Sequence, residues 1–226
     1  MRNLTTLLLL LLLQQLGWAD APAPAFRLRG ELDVTNIWVV KQQIREYHDG
    51  GTYAQELALI AALAREYLAE ALGRPGAGKP ALVLDIDETA LSNYPHIASM
   101  DFGYIPSAWK AWIQEAQAPA IQGVLELYRF ARSKDVAVLF ITGRYEHERA
   151  ATERNLRQAG YGEWAELIMK PDGDKTATGR YKTAERKRLT QSGYRILANV
   201  GDQSSDLERG YSESVFKLPN PMYYVP

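Results

Sequence analysis

The chain has 226 residues, of which 46% are hydrophobic, and its 26 basic side chains nearly balance its 27 acidic ones. This length fits one large domain, or one domain with a small accessory module, and it allows a core that needs no disulfide or structural metal. The lack of a basic excess argues against a general nucleic-acid binder. The lack of cysteine excludes disulfides, thiol catalysis, Cys-ligated metal centres and a lipid-modified N-terminal cysteine.

The first residues have the pattern of a secretory signal peptide. Arg2 precedes an apolar run at Leu4–Leu13, and small residues suited to cleavage follow within Ala19–Ala25. The run is too short for a transmembrane helix, which needs about 20 apolar residues. We therefore predict a signal peptide over residues 1–21 and a periplasmic or secreted mature protein. An uncleaved membrane anchor is the alternative.

Residues 22–80 are predicted to form a helical accessory segment that ends in a linker. From Asp33 to the Gly50-Gly51 pair, apolar residues recur at spacings of three and four, which indicates an amphipathic helix. The same spacing predicts a second helix over Thr52–Gly73. The sequence RPGAGKP at residues 74–80 is rich in glycine and proline and therefore indicates a linker.

From residue 81 onward, short apolar runs alternate with helical segments. The runs predict strands at Ala81–Leu84, Val136–Ile141, Glu166–Met169, Ile196–Val200 and Val215–Leu218. The helical segments are Ile121–Arg132, Glu146–Ala159 and Lys182–Gln191. This alternation indicates βαβ units and a parallel sheet. We therefore predict an α/β fold, namely a three-layer, Rossmann-like domain over residues 81–226 with a small helical cap or accessory portion.

One segment interrupts the alternation. A connection between a strand and a helix normally takes about 2–6 residues, yet a far longer, aromatic-rich stretch follows the first predicted strand. We predict a cap insertion at about residues 92–120, whose Tyr104, Trp109 and Trp112 contact the substrate as a lid. The alternative is that these aromatic residues only pack within the lid or against the N-terminal helices.

Polar residues follow the predicted strands at the points where the strands end, and a lysine begins the helix before the fourth strand. They are Asp85, Asp87, Thr142, Arg144, Lys182, Asp202 and Asp206. In open parallel sheets, ligands bind beyond the carboxyl ends of the strands, so we expect these side chains to converge there. Arg144 either adds a positive charge to this site or faces the helix that follows it.

Four stretches of the sequence carry a family resemblance. They are VLDIDETALSNYP, YKTAERKRL, GYRILANVGDQSSDL and FKLPNPMYYVP. Together they resemble the haloacid dehalogenase-like superfamily of phosphatases. Within it they are similar to the secreted acid phosphatase branch, which includes plant acid phosphatases, vegetative storage proteins and bacterial non-specific acid phosphatases. The resemblance implies a Mg²⁺-dependent phosphomonoesterase of acid phosphatase type.

The resemblance also implies a role for each matching residue. Asp85 matches the nucleophile, which forms an aspartyl-phosphate intermediate, and Asp87 matches the general acid and base. Thr142 matches the residue that hydrogen-bonds the phosphoryl oxygens. Lys182 matches the lysine that offsets the phosphate charge, and Lys170, directly after the third predicted strand, is the competing candidate.

A metal site is implied in the same way. The family pattern places Mg²⁺ on the Asp85 carboxylate, the Asp87 backbone carbonyl and the Asp202 carboxylate, and oxygen ligands suit this cation. Asp206 would act through water or by orienting Lys182, and capping of the following helix is a further role open to it.

Three other functions share this fold. A non-catalytic storage or binding protein would lack the nucleophile, whereas Asp85 is present. A phosphotransferase would use the same residues to pass phosphate to an alcohol. A dehalogenase would not need Asp87 and Asp202. We expect a small phosphomonoester as the substrate, no nucleic-acid polymer as a partner, and no membrane association after signal cleavage.

Overall fold

Five strands form one parallel sheet in the computed structural model, which describes residues 35–225. They are β1 (Lys79–Leu84), β2 (Ala137–Tyr145), β3 (Glu166–Lys170), β4 (Tyr194–Gly201) and β5 (Ser214–Lys217). Their order is β3-β2-β1-β4-β5, and each strand is parallel to its neighbours. The predicted α/β fold with a parallel sheet is therefore confirmed. The predicted signal peptide lies outside the described residues.

Helices precede β1 and connect the strands that follow it. They are α1 (Ile37–Asp49), α2 (Thr52–Leu72), α3 (Tyr94–Ser99), α4 (Pro106–Glu115), α5 (Gln122–Ser133), α6 (Arg149–Gln158), α7 (Thr178–Gln191) and α8 (Ser204–Leu207). The turn between α1 and α2 contains Gly51, whose φ of 85° lies in the left-handed region that glycine adopts without strain. Among residues 35–225, no helix is long and apolar enough to cross a membrane.

The central strand β1 explains why the fold has three layers. Successive side chains of a strand point to opposite faces of its sheet. Leu82 and Leu84 pack into one core with residues of α2 and α5, while Ala81 and Val83 pack into a second core that includes Leu189 of α7. Both faces of the sheet are thus covered by helices, as an all-parallel sheet requires.

Helix α2 is part of this covering layer. Its Leu57 and Leu68 are buried in the same core as β1. It also approaches α5 closely, because a β-carbon added at Gly123 would lie only 2.8 Å from the backbone of Ala58. The α2 part of the segment that the sequence indicates as accessory therefore belongs to the layer that covers the sheet.

Several elements extend beyond their predicted bounds. Strand β2 continues past the predicted end at Ile141 because Tyr145 pairs with Lys170 of β3. Helix α7 begins at Thr178, before the predicted start at Lys182. The predictions relied on apolar periodicity, whereas these ends consist of polar residues held by pairing and helix hydrogen bonds.

The insertion after β1 contains α3, α4 and the loop between them, and α1 holds that loop in place. Lys41 Nζ donates to Asp101 Oδ2 at 2.7 Å, and Arg45 donates to Asp101 Oδ1 at 3.3 Å and to the carbonyl of Ala98 at 3.2 Å. Asp101 and Phe102 both have positive φ, 50° and 59°. This backbone strain is offset by the contacts with α1.

Candidate active site

The carboxyl ends of β1 and β4 bring three aspartates together. Asp85 follows β1, and its N–H donates to the carbonyl of Val200 in β4 at 3.0 Å. Asp202 follows β4, and Asp206 lies in α8. One carboxylate oxygen from each of Asp85, Asp202 and Asp206 lies within 4.8 Å of the other two, and all three residues are buried. These three aspartates therefore lie together at the edge of the sheet where the sequence predicts that they converge.

Lys182 joins two of these carboxylates. From the second turn of α7 its Nζ donates to Asp85 Oδ1 and, at 2.6 Å, to Asp206 Oδ1. Burial by itself would lower the pKa of Lys182, but the charges of Asp206 and Asp85 outweigh burial and raise it. The lysine is therefore a fixed cation between the two aspartates.

A glycine before Asp202 makes room for this arrangement. A β-carbon added at Gly201 would overlap the side chain of Asp206 and lie 2.6 Å from its Oδ2. The same Oδ2 accepts the N–H of Gln203 at 2.8 Å. Both oxygens of Asp206 are therefore engaged, one by Gln203 and one by Lys182.

Asp87 is held by Arg144 and Asn93. Arg144 Nη2 donates to Asp87 Oδ1 at 2.6 Å, its Nε lies 3.1 Å from both carboxylate oxygens, and Asn93 Nδ2 donates to Oδ1 at 2.8 Å. Burial would raise the pKa of Asp87, but the Arg144 charge and these hydrogen bonds lower it below its ordinary value. Arg144 also donates to Thr152 of α6 at 3.2 Å, so it serves the site and contacts the following helix.

Asp202 has amide and hydroxyl partners. Gln203 Nε2 and Asn220 Nδ2 donate to its Oδ2 at 2.6 and 2.8 Å, and Thr89 Oγ1 donates to its Oδ1 at 3.2 Å. Burial and the charge of Asp206 raise the pKa of Asp202 to about 6, while the hydrogen bonds from Asn220 and Gln203 oppose the rise.

The sequence reasoning missed a second buried carboxylate beside Asp87. Glu88 accepts the backbone N–H of Asn93 at 2.6 Å, its side-chain amide at 3.2 Å, and the hydroxyl of Tyr223. Burial, together with the charges of Asp87 and Asp202, raises the pKa of Glu88 to about 8. The sequence did contain a signal for this carboxylate, because Glu88, Asn93 and Tyr223 all lie within motifs that carry the family resemblance.

Two further predicted residues have hydrogen-bond partners outside the aspartate cluster. Thr142 is fully buried, and its Oγ1 accepts the N–H of Arg144 at 3.1 Å. Lys170 donates to the carbonyl of Thr176. Of the two candidate lysines, Lys182 is therefore the one in contact with Asp85.

A cavity of about 520 Å³ opens above the aspartates. Asp85, Asp87 and Lys182 line it together with apolar side chains of the insertion and of the chain beyond β5, namely Ile97, Phe102, Tyr104, Trp109, Met222 and Val225. Trp112 does not line the cavity. Its Nε1 donates to Asn93 Oδ1 at 2.8 Å, and its ring stacks on His96 with centroids 5.5 Å apart. Tyr104 and Trp109 thus line the cavity, where the lid was predicted. Trp112 instead contacts Asn93, which in turn donates to Asp87.

Comparison with known proteins agrees with this geometry. Residues 28–226 match the family described as HAD superfamily, subfamily IIIB (Acid phosphatase). Acid phosphatase 1 of Solanum lycopersicum is 36% identical over 188 residues, which cover 80% of this chain and 73% of that protein. The Stem 28 kDa glycoprotein of Glycine max is 34% identical over the same length and shares of the two chains.

A solved structure is also similar. The Class C acid phosphatase from Bacillus anthracis superposes with a TM-score of 0.69 at 25% identity, over 82% of this chain and 86% of that one. The family resemblance predicted from the sequence is confirmed by these matches. The chain therefore belongs to subfamily IIIB of the HAD superfamily, the acid phosphatases, and is a phosphomonoester hydrolase.

Proposed function

We propose that this chain is a Mg²⁺-dependent acid phosphatase that works through an aspartyl-phosphate intermediate. The observation that carries the proposal is the Lys182 ammonium, which contacts both Asp85 and Asp206 at the base of the cavity. A phosphate ester is anionic and repels a carboxylate, so a carboxylate nucleophile needs a fixed cation beside it. Lys182 supplies that charge next to Asp85.

Asp85 is the proposed nucleophile. Its Oδ1 accepts from Lys182, while its Oδ2 has no hydrogen-bond partner among residues 35–225. Attack on the phosphorus forms a bond between an Asp85 oxygen and phosphorus and breaks the bond from phosphorus to the leaving oxygen. The proposed role of Thr142 is to hydrogen-bond the phosphoryl oxygens, since its hydroxyl accepts the N–H of Arg144 and keeps its own hydrogen free to donate.

Asp87 is the proposed general acid and base. Arg144 and Asn93 fix its carboxyl group, and Asp87 lines the same cavity as Asp85. In the first step its protonated form gives the proton to the leaving oxygen, which departs as an alcohol; the Arg144 charge lowers the pKa of Asp87, so this form is favoured by acidic pH. In the second step it takes a proton from water as that water attacks the phosphorus, which releases inorganic phosphate and frees Asp85.

The donor set fits a hard divalent cation. Asp85, Asp202 and Asp206 are buried together, and the Lys182 ammonium contacts two of them, Asp85 and Asp206, so three carboxyl groups lie beside one ammonium. Because both oxygens of Asp206 are engaged, we assign Asp206 to orienting Lys182, and we assign Asp85, Asp202 and the backbone carbonyl of Asp87 to holding Mg²⁺. When bound, the cation would offset charge on the phosphoryl oxygens.

The cavity supports a small-molecule substrate. The aspartates lie beneath walls that include Phe102, Tyr104 and Trp109, so the part of the ester beyond the phosphate meets aromatic rings. We propose that the preferred substrates carry an aromatic or nucleoside leaving group, and that a nucleic-acid polymer is not a substrate.

The proposed location is the periplasm or the exterior of the cell. It rests on the leader at residues 1–21, with its basic start, apolar run and small-residue cleavage region. After cleavage, we propose that residues 22–80 act as the accessory segment of a phosphatase domain at residues 81–226, with residues 92–120 as its cap.

Replacing Asp85 with asparagine tests the mechanism. We expect Asp85→Asn to reduce hydrolysis of an aryl phosphate to the rate in buffer alone, because the amide is a poor nucleophile, and we expect chelation of Mg²⁺ to do the same to the wild-type protein. With a ³²P-labelled substrate and an acid quench, label should remain on the wild-type protein and not on Asp85→Asn.

The matched control is Asp135→Asn, since Asp135 is exposed and lies just before β2, at the amino ends of the strands and not at the carboxyl ends that hold the site. Its rate should equal that of the wild-type protein, and circular dichroism should show that both variants are folded. Substantial hydrolysis by Asp85→Asn would overturn the assignment of the nucleophile. Full activity of the wild-type protein in chelator would overturn the metal assignment.

A further inference from the structure

The segment that follows β5, residues 218–225, closes one side of the aspartate cluster. Leu218 is buried, and its N–H donates to the last residue of β4 at 2.9 Å. Met222, Tyr223 and Val225 then line the cavity opposite the insertion. The resemblance assigns no role to the polar residues of this segment, so their contacts with the cluster need an explanation.

Asn220 uses both ends of its side-chain amide. Its Nδ2 donates to Asp202 Oδ2 at 2.8 Å. Its Oδ1 accepts the N–H of Met222 at 2.9 Å and that of Tyr223 at 3.4 Å. Because two backbone donors face Oδ1, the amide has one orientation that satisfies all three contacts, and that orientation directs Nδ2 at Asp202.

The second amide on Asp202 is held by the same segment. Gln203 Nε2 donates to Asp202 Oδ2 at 2.6 Å, and Gln203 Oε1 accepts the N–H of Val225 at 3.0 Å. Both amide donors therefore meet on Oδ2, while Oδ1 accepts from the Thr89 hydroxyl at 3.2 Å and from no other donor in the part of the chain that the structure describes. The Asp202 carboxylate is thus held by one oxygen, and its other oxygen is left for a ligand.

We propose that Asn220 is a positioning residue for Mg²⁺ binding. By fixing Oδ2 of Asp202, it keeps the carboxylate plane at the angle that presents Oδ1 to the cation. Partners that orient a metal-binding carboxylate contribute about 10- to 100-fold to metal affinity. This inference rests on the proposed metal site. It adds that the segment after β5 determines the affinity of that site.

The test separates this role from simple anchoring of the segment. In Asn220→Ser, the hydroxyl can still accept the N–H of Met222, two residues on, but it is too short to reach Asp202. Asn220→Ala loses both contacts. Binding of Mg²⁺ alone, with no substrate, is measured by titration calorimetry, and thermal unfolding is measured without Mg²⁺. The control is Tyr224→Ala, because Tyr224 belongs to the same segment and its side chain is exposed.

We expect Asn220→Ser to bind Mg²⁺ roughly 10- to 100-fold more weakly than the wild-type protein, with an unfolding temperature close to that of the wild type. Asn220→Ala should bind as weakly, and Tyr224→Ala should bind normally. Binding by Asn220→Ser within twofold of the wild type would overturn the inference while leaving the metal site intact. Failure of both variants to fold would make Asn220 a structural anchor and would also overturn it. A wild-type protein that does not bind Mg²⁺ would instead overturn the metal assignment itself.

Discussion

The buried acids of the site differ in the kind of partner that each has. Asp85 contacts the Lys182 ammonium and Asp87 contacts the Arg144 guanidinium, whereas the hydrogen-bond donors to Asp202 and Glu88 are amides and hydroxyls. An amide or hydroxyl donor offsets less of the cost of burying a negative charge than a cation does. This is consistent with the pKa values of Asp202 and Glu88, which rise to about 6 and about 8, and with the pKa of Asp87, which falls. The pKa of Asp85 rises well above its ordinary value as well, because its burial and the charges of the neighbouring aspartates outweigh the charge of Lys182.

The proposed role of Asp87 can be tested by varying the leaving group. An alkoxide must be protonated as it leaves, while 4-nitrophenolate leaves readily without a proton. We expect Asp87→Asn to lower kcat/KM for a small alkyl phosphate by about 10²–10⁴-fold and to lower kcat/KM for 4-nitrophenyl phosphate much less, because kcat/KM reports the step in which the leaving group departs. Steady-state kinetics on both esters would check this, with Mg²⁺ binding as the control for an intact site. Equal losses on the two esters would show that Asp87 is not the acid.

Individual residues were predictable where strand order decides their position. Asp85 and Asp202 each follow a strand, and β1 and β4 are neighbours, so the carboxyl ends of the strands bring them together. Asn220 and Tyr223 were not predictable in this way. They lie in an irregular segment, and their contacts depend on how that segment folds back over the cluster.

Helix α1 acts on the cavity without lining it. Lys41 and Arg45 hold Asp101, and the Arg45 guanidinium lies 5.0 Å from the ring centroid of Phe102, which forms part of the cavity wall. The strained backbone at Asp101 and Phe102 is therefore held from outside the cap. The position of the aromatic wall depends on an element that the sequence assigns to the accessory segment.

The same wall gives a prediction about substrate preference. Trp109 lines the cavity, so Trp109→Ala should raise KM for an aryl phosphate by roughly 2- to 10-fold, because an aromatic pair contributes about 0.5–1.5 kcal/mol. KM for a small alkyl phosphate should change little, and kcat should change little for both. Trp109→Phe is the conservative control and should restore most of the affinity. An equal rise in KM for the two esters would show that the Trp109 ring does not contact the aryl group of the substrate.

The two tryptophans of α4 also show what helical periodicity leaves undetermined. Trp109 and Trp112 are three residues apart on one helix and were predicted to act together. In the structure Trp109 lines the cavity, and Trp112 reaches Asn93 behind it. Spacing predicts that two residues share a face of the helix, but it does not predict which neighbour each side chain meets.

At the scale of the whole molecule, the close approach of α2 and α5 ties the N-terminal helices to the sheet. Helix propensity alone favours alanine over glycine by about 0.5–1 kcal/mol. At Gly123, however, a β-carbon would lie 2.8 Å from the backbone of Ala58, which cannot move aside as a flexible side chain can. We therefore expect Gly123→Ala to lower the free energy of unfolding by about 1–3 kcal/mol.

Urea unfolding of the purified protein would measure this change. The matched control is Gly162→Ala, because nothing lies within 4 Å of a β-carbon added there, and its stability should be no lower than that of the wild type. A Gly123→Ala protein as stable as the wild type would mean that α2 can shift away from α5 at little cost.

The fold class was predictable because short apolar runs that alternate with helical segments are typical of buried parallel strands. The runs at β1 and β4 are continuous and lie in the middle of the sheet, so their bounds were nearly right. The end of β2 was predicted too early, because Thr142, Gly143 and Arg144 extend that strand and are not part of an apolar run. Polar residues join a strand when a neighbour pairs with them, and a single sequence does not reveal that pairing.

The strand order also has a consequence for how the chain folds. β1 is the first strand in the sequence, but Ala81 pairs with Ala137 of β2 on one side and with Ile196 of β4 on the other. During synthesis the central strand is made long before either neighbour, so its apolar edges stay open while the rest of the chain emerges, and such edges favour aggregation. Helix α2, made just before β1, can cover one of its faces in that interval. Because Asn220 and Tyr223 are made after all five strands, we expect a nascent chain to remain inactive until the segment that contains them has emerged.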